Sequence, residues 1–131
     1  MTGLHVPFVA SLLDNPQAGA EIGVCRGQFT QYFLATFESL HMYAVDAWRL
    51  RPPMDREGYQ TYEGWPLDSM REMFHQRTKL FADRLTVLHM DSVKAANHVP
   101  DGTLDFVFID AEHTYEGVSA DIALWLSLIH I

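Results

Sequence analysis

A single cysteine among 131 residues excludes an internal disulfide and a cysteine-built zinc site. Cations are scarce: 9 Lys and Arg stand against 17 Asp and Glu, a formal charge of −8. Nucleic acids and anionic membranes are held by clustered cations, so neither is an expected partner. No run of about eighteen apolar residues occurs, so nothing reads as a membrane span. The opening MTGLHVP has no basic stretch followed by an apolar one, so no secretory signal is visible. Also absent are the G-x-G-x-x-G of nicotinamide dinucleotide folds and the lysine-bearing phosphate loop. No repeat, low-complexity tract or composition shift marks a domain boundary. The expectation is a cytoplasmic, acidic, single-domain protein. At 48% hydrophobic and 20% charged residues it has the balance of a folded chain.

Two kinds of apolar segment alternate along the chain. Short continuous runs at 18–24, 41–46, 85–90 and 104–110 read as buried strands. Between them lie stripes at helical spacing. Phe29, Tyr32, Phe33 and Phe37 form one; Met70, Met73, Phe74, Arg77 and Phe81 another; Tyr115, Val118, Ile122, Trp125 and Ile129 a third. Such stripes are far more often core than cofactor box. A further helix over 6–13 precedes the first strand. Strand and helix in alternation predict right-handed βαβ units. The expected fold class is α/β, a Rossmann-like three-layer α/β/α sandwich whose four parallel strands lie in the order 3-2-1-4. Residues 47–65, with adjacent prolines and four aromatics, interrupt the pattern and read equally as a surface excursion or a lid.

The most informative stretch is EIGVCRG, where the first strand should end and a helix begin. Gly23 and Gly27 allow a sharp turn and close backbone approach to a ligand. With neither a third glycine nor a lysine, it suits a cationic or zwitterionic nucleoside better than a pyrophosphate. Asp46 ends the second strand, Asp91 and Ser92 the third, Asp110 the fourth. In open α/β sheets ligands bind outside these carboxyl ends. An acidic side chain at the second tip can accept hydrogen bonds from both ribose hydroxyls of an adenosine. Any one tip alone could be a helix N-cap; four in register point to a site.

AEIGVCRGQFTQYF, YAVDAW, MDS and DFVFIDAEHTYEGVSADIALW together resemble successive motifs of class I S-adenosylmethionine-dependent methyltransferases, most of all the small-molecule O-methyltransferase branch. The resemblance covers residues 18–125. It implies S-adenosyl-L-methionine as cofactor, with Gly23 and Gly27 against its methionine part and Glu21 fixing the loop and facing its amino group. It further implies Asp46 on the ribose and Asp91 and Ser92 flanking the adenine. In metal-dependent relatives the aspartate at Asp110 binds a divalent cation, so Mg²⁺ is a second cofactor left open. The residue at His113 is the general base, which makes His113 and Asp110 the catalytic pair; Glu112 either supports the metal or caps a helix.

The resemblance further implies a small-molecule acceptor, such as a sugar or natural product, and leaves a homo-oligomer open. It also sets limits. No Pro-Gly-Gly turn and no fifth-strand acidic tip follow, and the closing Ser-Leu-Ile-His-Ile fits the helical pattern poorly. Residues 1–131 are therefore read as the N-terminal, cofactor-binding portion of one methyltransferase domain, inactive by itself and lacking strands 5–7. Two other readings stay open: a non-catalytic nucleoside-binding or assembly module of the same fold, and a metal-dependent hydroxylase-like or hydrolase-like enzyme. A NAD-binding oxidoreductase is disfavoured by the missing glycine.

Overall fold

The computed structural model describes residues 5–49, 61–62, 64–110 and 115–130. Helix α1 (His5–Ser11) leads into β1 (Ala18–Ile22), α2 (Gln28–Thr36) and β2 (His41–Val45). A hairpin of two-residue strands, β3 (Thr61–Tyr62) and β4 (Trp65–Pro66), opens α3 (Leu67–Thr78), which continues as a 3₁₀ turn over Lys79–Arg84. Then come β5 (Leu85–Leu88), α4 (Ser92–Ala96), β6 (Phe106–Ile109) and α5 (Tyr115–Leu126). The main sheet has the order β5-β2-β1-β6, with all neighbours parallel. The sequence expectation of 3-2-1-4 counts four strands. Its numerals differ because the antiparallel hairpin β3–β4, which sequence patterning missed, enters the chain before the third long strand.

Side chains alternate across the sheet, as the pleat requires. Ala20, Ile22, Val45 and Leu88 face one layer, with Ala95, Val99, Leu104, Trp125 and Leu128. Met42 and Phe106 face the other, packed with Val6, Ala10, Phe29, Phe33 and Leu34. A third cluster joins Val24, Ala44 and Trp48 to Leu67, Met70 and Phe74 of α3. Phe29 stacks on Phe33 of its own helix (4.1 Å) and on Phe108 (4.2 Å), the second contact joining α2 to β6. The 3₁₀ turn is tied back by Arg84, whose guanidinium donates to the carbonyls of Leu34, Phe37 and Leu40 at 2.8–3.0 Å. These carbonyls lie at and beyond the C-terminal end of α2, where cations are favoured.

Two stripes differ from their sequence reading. On α2, Tyr32 is exposed, and Thr30 and Leu34 are buried beside Phe29 and Phe33. On α5, Tyr115 (84% exposed) and Ile122 (50%) lie outside the core, while Asp121 and Trp125 are buried. The reason is polar: Ser92 at the start of α4 donates a hydrogen bond to Asp121, and this pair turns that face of α5 inward. The closing segment leaves the helix and rejoins the fold. Leu128 is buried, Leu104 N–H donates to its carbonyl (2.9 Å), and His130 N–H donates to Leu104 O (2.7 Å).

Gly19 makes β1 narrow enough for Phe106, since a Cβ there would lie 2.2 Å from that ring. Gly19→Ala is expected to lower stability by about 1–3 kcal/mol. Combining it with Phe106→Leu should recover part of that loss, a coupling that urea unfolding of the single and double variants measures.

Candidate functional site

The four parallel strands end at one edge of the sheet, and the loop after β1 is built from unusual backbone. Gly23 (φ 90), Cys25 (φ 49) and Gly27 (φ 82) are all left-handed. This is free for glycine and uncommon for cysteine. Gly23 N–H donates to Val45 O (2.8 Å) and Gly27 N–H to Val24 O (2.8 Å), so the loop closes on itself and on β2. Gly27 is also packed: a Cβ there would come within 2.7 Å of the Phe74 ring.

Asp46 holds this loop. Its Oδ2 accepts the Cys25 N–H (2.9 Å) and its Oδ1 the Trp48 N–H (2.8 Å). Burial raises the carboxyl's pKa, while the N–H donors of Trp48, Cys25 and Val24 and the nearby His89 pull it back. Trp48, itself left-handed (φ 45), donates from Nε1 to Cys25 O (2.9 Å). His89 meets the Trp48 ring edge-on and contacts Ala47 O through Nε2 (3.1 Å) and Arg71 through Nδ1 (3.3 Å). The proton therefore sits on Nε2, because arginine can only donate.

Glu21 is buried inside β1 and faces α2, where the Thr30 hydroxyl donates to its Oε2 (2.5 Å). Desolvation pushes its carboxyl up to about 8; the Thr30 bond opposes this, and Asp110 and Asp46 add to it. Glu21, Asp46 and Asp110 thus form one electrostatic group at the strand ends. Asp110 continues the sheet, its N–H donating to Ile22 O (2.8 Å).

The other predicted residues are engaged elsewhere. Asp91 caps α4 through the Lys94 N–H (3.2 Å), and Ser92 is bonded to Asp121. Glu112 and His113 lie outside the described residues, as do residues 50–60 and 63 of the segment read as excursion or lid. Trp48, Thr30 and His89 escaped the sequence reading. Thr30 is the residue of this set that a signal could have found, because its hydroxyl breaks the apolar face of α2 nine positions after a buried acid.

A family model described as a methyltransferase domain matches residues 20–130. The chain belongs to this methyltransferase domain family. No curated protein matches the sequence. Among solved structures, a candidate caffeoyl-CoA O-methyltransferase from Staphylococcus aureus is similar at TM-score 0.72 and 15% identity, over 98% of this chain and 54% of that one. An S-adenosylmethionine-dependent methyltransferase from Geobacter sulfurreducens, solved with S-adenosyl-L-homocysteine, is similar at 0.64 and 16%, over 100% and 45%. The Burkholderia thailandensis 1,6-didemethyltoxoflavin-N1-methyltransferase, solved with its namesake compound and S-adenosylhomocysteine, is similar at 0.63 and 14%, over 98% and 47%. The methyltransferase domain seen here thus spans about half the length of the structures it matches. The fold is that of the class I, Rossmann-like methyltransferases.

The strand-end carboxylates fit the cationic centres and the diol of S-adenosylmethionine. Among the described residues no group of three His, Cys, Asp or Glu could hold a metal ion. Nor, among those residues, is any helix long and apolar enough to cross a membrane.

The raised carboxyl of Glu21 links stability to pH. In the unfolded chain it ionises near 4.5, in the folded chain near 8. Between those values the folded state holds the extra proton, so stability falls as pH rises, then levels off above about 8. Urea midpoints of the wild type should therefore drop between pH 5 and pH 8. Glu21→Gln, which keeps the acceptor for Thr30, should flatten that slope.

Proposed function

We propose that this chain carries the cofactor-binding part of an S-adenosylmethionine-dependent methyltransferase that methylates an oxygen of a small molecule, such as a sugar or natural product. The observation that carries the reading is the loop of three left-handed residues closed by Asp46, beside Asp110 and the buried Glu21. Such a loop brings backbone close to a ligand, and the negative field suits an ammonium and a sulfonium. The complexes of similar folds with S-adenosylhomocysteine support the same cofactor.

In this reading Gly23 and Gly27 line the methionine part and Glu21 stabilises the loop near the amino group. With the N–H groups of Trp48, Cys25 and Val24 on it, the Asp46 carboxylate keeps lone-pair capacity for a ribose hydroxyl. Asp91 and Ser92 flank the adenine, with Ser92 oriented by Asp121. Methyl transfer is an in-line displacement at the sulfonium carbon, and the acceptor hydroxyl must lose its proton. His113 is the proposed base. Metal assistance by Mg²⁺ is the finest part of the reading. It rests on the place of Asp110 at the end of β6, where a bound cation would lower the pKa of the acceptor hydroxyl.

Asp46→Ala should weaken S-adenosylhomocysteine binding by about 1–3 kcal/mol, with Asp46→Asn intermediate; unchanged affinity in calorimetry would remove the ribose assignment. In an intact enzyme containing this segment, His113→Ala should lower kcat by about 10²–10⁴-fold with cofactor affinity retained. Full turnover in that variant removes the base, and full turnover in EDTA removes the metal.

A further inference from the structure

The loop after β1 also contains a cation to which the reading above gives no task. Arg26 lies between Cys25 and Gly27, both left-handed. Its main chain is fastened, its carbonyl accepting a hydrogen bond from Arg77 Nη1 at 2.9 Å. Its guanidinium lies over the Trp65 ring, 5.2 Å from the centroid. Cation–π attraction of this kind fixes the plane of the group while leaving its N–H edge able to serve an anion. The Arg26 Nε is buried and has no hydrogen-bond partner among the described residues. In a chain with 17 acidic side chains that is unexpected, because a buried donor left unpaired is costly.

The field around the loop indicates which acceptor. Asp46 and Asp110 lie close enough to Glu21 to raise its cost of ionisation. The negative charge of Asp46 and Asp110 attracts the ammonium of a zwitterionic amino acid and repels its carboxylate. A ligand with both groups needs a cation on the same loop to hold the second. Arg26 is that cation.

We propose that Arg26 is the anion-recognition residue of the loop, taking the carboxylate at the amino-acid end of S-adenosylmethionine while Trp65 holds its guanidinium flat. This rests on the cofactor reading above. A carboxylate on the acceptor would present the same chemistry, so the test separates the two sources.

Calorimetry of the chain would use S-adenosylhomocysteine and its decarboxylated analogue, which keeps the amine and lacks the carboxylate. The wild type should prefer the first by about 10- to 100-fold, the worth of one charge-assisted hydrogen-bond pair. Arg26→Met should lose that preference and bind both at the analogue's level, and Arg26→Lys should keep part of it. Should Arg26→Met fail to fold by circular dichroism, Arg26→Lys and Trp65→Ala, each with a reduced preference, carry the test. A preference unchanged in the variants overturns the proposal, as does an equal loss for both ligands; either leaves the cofactor reading standing. A wild type that binds neither ligand overturns both.

Discussion

The carboxylate of Asp46 accepting the N–H groups of Cys25 and Trp48 is the contact on which the site depends. It joins the tips of β1 and β2, the two central strands, at the point where both leave the sheet. Without an anion there, the backbone donors of a left-handed loop would be left unpaired in a partly buried place, which costs as much as losing the bonds themselves. Cys25 and Trp48 are both non-glycine residues in left-handed backbone. Such conformations persist where surrounding contacts over-determine them, and they concentrate at ligand-binding sites.

A second constraint follows from burial. β1 is central, with layers on both faces, so its one acid has no route to water. Glu21 is retained beside the Thr30 hydroxyl, and its carboxyl holds its proton to about pH 8. A protonated Glu21 lessens the negative charge beside Asp46 and Asp110. The same burial that makes the strand stable therefore tunes the field into which a cationic ligand would come. Arg26, above the Trp65 ring at the other end of the same loop, gives that field its opposite pole.

The outer elements show a different balance. On α5 the Ser92–Asp121 bond and the large ring of Trp125 decide the inward face, and Tyr115 and Ile122 stay outside. Hydrophobic periodicity counts apolar residues and cannot weigh a polar pair formed across 29 positions of chain. The segment after α5 is seated in the same way, by hydrogen bonds to Leu104 that no local pattern announces.

Local chemistry determined a good deal about this protein. Continuous apolar runs, turn residues and alternating periods were enough for four parallel strands, the helices α1, α2, α3 and α5, and an α/β class, though not for the short α4. They also put Gly23, Gly27, Asp46 and Asp110 at the strand ends, because each residue type carries its meaning within a few positions of itself. What Asp46 binds, that Glu21 faces Thr30, that Ser92 turns to Asp121, that Trp48 and His89 pack together, and that Arg26 rests on Trp65 were decided only by tertiary structure. Those are contacts between elements. Their strength comes from desolvation and from geometry that exists only after the layers have closed on the sheet.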